Sequence, residues 1–172
     1  AFELARFYAK KIVLPIMPEI DRIDFTSVGD QSSLVQREGE WFIGDGKDPE
    51  RALAQDLPGR AGIEQLFTVF DLLELSDAQS SSTPLASYGL EQPLASITLA
   101  PLRNAPAQAD NAITINLGVP ADPNDTLRYV SVVYDKDTPA VVFTAPAQYA
   151  LLIAQTATNF RDPRVIATPT TL

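Results

Sequence analysis

The chain has 172 residues and a formal net charge of −9, from 13 Lys and Arg against 22 Asp and Glu. It contains no cysteine and no histidine, which excludes thiolate nucleophiles, disulfides, Cys or His zinc sites and a Ser-His-Asp triad. Apolar residues make up 45%, ordinary for a folded domain and too many for a disordered chain.

Residues 1–18 read as one or two helical turns carrying Phe2, Leu4, Ala5, Phe7 and Tyr8, stopped by Pro15 and Pro18. Arg6, Lys10 and Lys11 stand beside these aromatics. That suits either a short packed helix or a segment lying on a membrane surface or a partner. Ile20 to Val28 alternates and predicts a strand. Residues 29–33 read as a turn. Leu34 to Glu38 and Trp41 to Gly44 flank Gly39 as a tight hairpin, and residues 45–49 break the sheet.

Ile63, Leu66, Phe67, Phe70 and Leu73 fall at helical spacing and predict a helix over 62–75. A Ser-rich connection follows to Pro84. Strands are expected over 94–100 and 112–118, with a loop of Ala, Pro, Asn and Gln between them. Residues 120–125 read as a turn. Strands 127–134 and 140–144 form a second hairpin. From Pro146 a last helix carries Tyr149, Leu152, Ile153 and Ala157 as its apolar stripe. The charge-free run from Thr138 to Phe160 has the length of a membrane span. Its two prolines and three amides fit a strand followed by a helix better. The expected fold is α+β: an antiparallel sheet of two strand–hairpin–helix units, with helices packed on one face. Residues 1–19 form an N-terminal segment, 20–166 one domain and 167–172 a tail.

Several motifs invite a chemical reading that their spacing rejects. Asp122 to Thr126 places oxygen side chains at alternate positions, as a calcium loop does. Leu127 and Val133 occupy the positions that need Gly and an acid. A turn is the better account, as it is for Asp135 and Asp137. Gly44-Asp45-Gly46-Lys47 is too short for a phosphate loop, and Asp48 follows where Ser or Thr is required. No Ser stands three residues before any Lys, so a dyad of that spacing is absent. Acid pairs for glycosidase chemistry must converge in space, and no spacing identifies one. Trp41, the single tryptophan, suits either core packing or a partner-facing anchor. Arg161-Asp162-Pro163-Arg164 suits a local ion pair that caps the last helix or a docking point for a following segment.

The acidic balance opposes nucleic acid and anionic membrane surfaces. Residues 1–77 hold 15 acids and 8 bases, and residues 78–172 hold 7 acids and 5 bases. Absence of cysteine suits a cytosolic protein or a bacterial exported one. No signal peptide is visible, and Ala1 reads as a processed or cloned end.

Tyr88-Gly89-Leu90-Glu91-Gln92-Pro93, followed by Ile97-Thr98-Leu99, resembles the signature of the domain-of-unknown-function 4340 family. Physically, Ala86 to Tyr88 can form a helical turn that Gly89 ends in the left-handed region. Leu90 then returns to the core. Arg37 to Ile43 is similar to the family's early hairpin. Ile115 to Gly118, Arg128-Tyr129-Val130 and Phe160-Arg161-Asp162 are similar to its later strands and closing Arg-Asp. The resemblance spans roughly residues 20–166. Family members usually carry an N-terminal transmembrane helix, which this sequence lacks, and a shorter loop than 101–111.

The resemblance implies a membrane-anchored, extracytoplasmic bacterial protein, often associated with transporter operons of the gliding-motility type. It defines no catalytic residues. The expectation is therefore a non-enzymatic accessory or structural subunit of a membrane protein complex, associated through a partner or a missing anchor. No cofactor, metal or nucleic acid is expected, and antiparallel edges leave self-association open. Candidate contact residues are Phe2, Phe7, Tyr8, Trp41 and Phe42. The alternative is a periplasmic or cell-surface domain binding a small ligand or carbohydrate. A carboxylate-only enzyme is the third class.

Overall fold

Ile23 and Phe25 alternate with Arg22, Asp24 and Thr26 along Ile20–Ser27, and this first strand, β1, sits at the centre of the sheet. The computed structural model describes residues 20–44, 46–47, 49–72, 79–80, 82–101, 112–134, 137 and 139–164. Its strands are β1, β2 (Asp30–Arg37), β3 (Glu40–Ile43), β4 (Glu50–Arg51), β5 (Ala95–Pro101), β6 (Ile113–Pro120), β7 (Leu127–Val133) and β8 (Val141–Pro146). They form one antiparallel sheet in the order β4-β3-β2-β1-β5-β6-β7-β8. The few helical elements are short: α1 (Ile63–Leu72), α2 (Ala147–Ala150) and 3-10 turns at Leu85–Tyr88, Leu151–Ala154 and Ala157–Phe160. The fold is thus α+β and dominated by its sheet.

Register carries the apolar alternation across the whole sheet. Ile23 lies opposite Leu34 and Leu99, and Phe25 opposite Ile97. Ile97 then meets Ile115, Ile115 meets Val132, and Val130 meets Phe143. These side chains share one buried cluster with Ile63, Leu66 and Phe70 of α1, and with Ile153, Ala157 and Phe160 near the C-terminus. The rings of Phe25 and Phe160 stack with centroids 5.8 Å apart. Burial of such side chains is worth about 1.5–3 kcal/mol each.

The alternate positions face the other side. There Tyr88, Leu90 and Val142 form a smaller cluster with Tyr129, and the Tyr88 and Tyr129 ring centroids stand 4.7 Å apart. Leu90 therefore returns to this second cluster and not to the main core. The turn that delivers it ends as its sequence demands, with Gly89 at φ 66° and ψ 27°.

Both edges of the sheet are met by other parts of the chain. β2, β3 and β4 shorten from 8 to 4 to 2 residues. Phe160 to Asp162 then lies along β4: Leu53 N–H donates to Phe160 O at 2.6 Å, and Asp162 N–H to Arg51 O at 2.9 Å. Arg60 Nη1 donates to Arg161 O at 3.1 Å. On the opposite edge, Gln79 N–H donates to Val142 O at 2.9 Å. Edge groups used in this way cannot template another strand.

Three elements differ from the sequence reading. Asp30 to Ser33 is strand and not turn: Ser33 pairs with Asp24 and Ser32 with Phe25. Their polarity belongs to a strand whose alternate side chains leave the core. Glu50–Arg51 is an unforeseen fourth strand, too short and too charged to show periodicity. The last helix is one α turn and two 3-10 turns. Gln155 is extended, and Thr156 and Asn159 form a capping box that restarts the chain. Ile153 and Ala157 of the expected stripe are buried, while Tyr149 is exposed. The loop 102–111 and residues 73–78 lie outside the described residues.

Candidate functional site

A cleft of about 260 Å³ opens where β3, β4 and the 52–57 segment meet the closing segment. Glu40, Arg51, Asp56, Asp162 and Arg164 supply its charges. Sequence reasoning could not assemble it, because residues 51–57 and 162–164 are brought together by long-range pairing of Arg51, Ala52 and Leu53 with Asp162, Arg161 and Phe160. Among the described residues its charges are largely satisfied locally. Glu40 pairs with Arg51, and Asp56 Oδ1 accepts from Gly62 N–H at 2.7 Å.

Asp162 is the buried charge of the cleft. Its Oδ1 accepts from Arg164 Nε at 3.0 Å and from Arg164 N–H at 2.9 Å, and its Oδ2 accepts from Arg164 Nη2 at 2.8 Å. The Arg164 guanidinium, then the backbone N–H, holds the carboxyl down at about 2, with Arg51 adding attraction. Asp122 is also lowered, by the N–H of Leu127, the hydroxyl of Thr126 and the N–H of Thr126. Both carboxylates are therefore anions at neutral pH, the wrong state for a general acid. The Asp122 cage is turn chemistry, with Oδ1 bonded to Thr126 and Leu127 N–H at 2.8 Å each. Among the described residues, no three His, Cys, Asp or Glu side chains are grouped to hold a metal ion.

The second face of the sheet carries a polar layer. Ser33 Oγ donates to Asp24 Oδ1 at 2.6 Å, while Arg22 Nε donates to the same carboxylate at 2.8 Å. Thr98 and Thr114 hydroxyls lie 3.0 Å apart, and Asn116 Nδ2 donates to Ser131 Oγ at 3.1 Å. Apart from Arg22 and Asp24, which share β1, these are cross-strand neighbours that bond one another.

Of the expected contact residues, Phe2, Phe7 and Tyr8 lie outside the described residues. Trp41 is 2% exposed and belongs to the main core, so it presents no anchor to a partner. Alternation explains this, since Trp41 shares the core side with Ile43, while Phe42 points to the second face and is half-buried. Trp41 Nε1 has no hydrogen-bond partner among the described residues. Within the 161–164 stretch Asp162 and Arg164 form a local ion pair.

No helix among the described residues is long and apolar enough to cross a membrane. A family model described as "Domain of unknown function (DUF4340)" matches residues 60–171, more than half of the chain. That span includes the Tyr88-Gly89-Leu90 turn and the closing Arg-Asp, while the hairpin at 37–43 precedes it. No curated protein and no solved structure matches the chain.

Proposed function

The chain belongs to the domain-of-unknown-function 4340 family, and from that premise we propose that it is a non-enzymatic, extracytoplasmic accessory or structural subunit of a membrane protein complex. It acts by surface contact with partner subunits of a transporter or another membrane complex. The observation that carries this reading is how the polar groups pair. In the cleft Asp162 bonds Arg164 and Glu40 bonds Arg51; across the second face Asp24, Ser33, Thr98, Thr114, Asn116 and Ser131 bond their neighbours. Such a surface offers shape and fixed charge to a partner rather than a reactive group.

The architecture is read further as two strand–hairpin–helix units with their helices on one face. Burial of α1 and the C-terminal turns in the same large cluster supports that reading. The cleft favours a second function, binding of a small ligand or carbohydrate. At about 260 Å³ it falls just under the ~300–1,000 Å³ of ordinary ligand pockets, and of its charged residues Glu40 pairs with Arg51 and Asp162 with Arg164.

The test is a pull-down from gently solubilised native membranes, with the bound proteins identified by mass spectrometry. A stoichiometric membrane complex is the expected result. Recovery of the protein alone, in the soluble fraction, overturns the reading and moves the effort to ligand screening by thermal shift.

A further inference from the structure

Four large apolar side chains stand exposed at one end of the sheet. Val28, in the β1–β2 turn, is 86% exposed; Leu94 is 41%, Leu85 39% and Val119 36% exposed. Strands β1, β5 and β6 are neighbours, and Ser27 pairs with Ala95 and Ala95 with Leu117. One step further along each strand brings Val28 level with Leu94, whose N–H donates to Leu117 O at 2.9 Å. Val119 follows on β6, and the turn that begins at Leu85 presses Gly89 against Val119. A valine at a hairpin tip gains nothing for the isolated chain, since its apolar surface stays in water.

The turns flanking this rim, with the first residue of β2, are acidic. Residues 29–30, 91–93 and 121–126 contain Asp30, Glu91, Asp122 and Asp125 and no lysine or arginine. Asp125 is neutralised by Arg128, with Nη2 to Oδ2 at 2.6 Å. Asp30 and Glu91 are exposed and have no ion-pair partner among the described residues. Anionic lipid would be repelled by this ring. A second copy docking rim to rim would bring like charges together.

We propose that this rim is a docking surface for a partner protein whose matching surface carries an apolar anchor ringed by Lys or Arg. The inference rests on the accessory-subunit reading and gives that contact a position and a chemistry. Val28 supplies the anchor contact, Leu94 and Val119 extend it, and Asp30, Glu91 and Asp122 select the partner's charge.

The test puts a photo-crosslinking side chain in place of Val28, and separately in place of Val141 at the opposite end of the sheet, in the whole chain. Each is irradiated with detergent-solubilised native membranes, and the cross-linked peptides are sequenced. Position 28 is expected to capture one segment of a membrane-complex subunit with an apolar residue flanked by Lys or Arg. Capture should fall about tenfold in Leu94→Glu, and in Asp30→Lys with Glu91→Lys. It should also fall when salt rises from about 0.1 M to about 1 M and the screening length shrinks to ~3 Å. Circular dichroism checks that the variants fold. Cross-links from position 28 to another copy of this chain, or binding to phosphatidylcholine–phosphatidylglycerol vesicles that Val28→Glu abolishes, overturn the proposal. So does capture that the variants leave unchanged. A complex captured from position 141 and not from 28 ends this inference while sparing the accessory reading. No capture from either position ends both.

Discussion

A Cβ on Gly118 would lie 2.3 Å from the carbonyl oxygen of Tyr88, so β6 and the 85–88 turn meet backbone to backbone. Gly89 closes the same junction from the other side: a Cβ there would lie 2.5 Å from Val119 Cγ1, at a φ of +66°. The two positions are expected to fail differently. Gly118→Ala meets a backbone atom that cannot turn aside, and should cost about 1–3 kcal/mol as overpacking. Gly89→Ala meets a side chain, plus about 1–2 kcal/mol of left-handed strain. Val119→Ala should therefore recover part of the Gly89→Ala loss and none of the Gly118→Ala loss. Urea unfolding of the single and double variants measures this, and equal recovery in both would refute the assignment.

Local rules explain what was legible. Ile20–Ser27 shows its strand by alternation, Ile63–Leu72 its helix by spacing, and Gly89 its turn by conformational freedom. What escaped was decided by partners distant in sequence. Asp30 to Ser33 looks like a turn until β1 pairs with it. Glu50–Arg51 becomes a strand only because β3 lies on one side and the closing segment on the other. Trp41 could have been assigned to the core, since alternation already grouped it with Ile43, but nothing local weighed burial against exposure. The cleft joins residues over a hundred positions apart, so no spacing could reveal it. Of the acidic rim only Asp122 and Asp125 were legible as a turn, and of its apolar members only Val28 and Leu94 were legible, as strand ends.

Trp41 is a probe as well as a core residue. It is the single tryptophan, and it is buried. Its fluorescence should be blue-shifted in the native protein and move to the red on unfolding. Trp41→Ala should cost about 3–5 kcal/mol. Trp41→Phe should cost clearly less, because it keeps a ring and removes the indole N–H that has no partner among the described residues. Chemical denaturation of both variants checks the order. A Phe variant as unstable as the Ala variant would mean that the N–H is satisfied after all.

Acid should weaken the closing segment through Asp162. Its carboxyl titrates at about 2 in the folded protein against 3.8 for the ordinary group. A lowered folded value means that the unfolded chain takes up the proton first. The contribution is therefore complete above pH 3.8 and is lost as pH falls through 2. Arg164 is largely exposed, so solvent screens the pair and the effect is modest. Asp162→Asn should flatten this part of the stability-against-pH curve and leave the slope at higher pH unchanged. An unaltered acid limb in that variant would remove Asp162 as its source.

Phe160 joins two functions of the closing segment. Its ring stacks on Phe25, and its carbonyl takes the N–H of Leu53 beside β4. Phe160→Ala should cost about 3–5 kcal/mol and release the segment from that edge. The freed backbone of Arg51 to Leu53 would then be open to pairing with another chain. Arg161→Ala removes the ion pair to Glu50 and, as a surface change, should cost at most ~1 kcal/mol. The two variants thus separate loss of the anchor from loss of surface charge. Sedimentation across a range of concentrations should show self-association in Phe160→Ala and none in Arg161→Ala. A Phe160→Ala protein that stays monomeric while Leu53 N–H loses its protection from hydrogen exchange would show that this edge needs no cover.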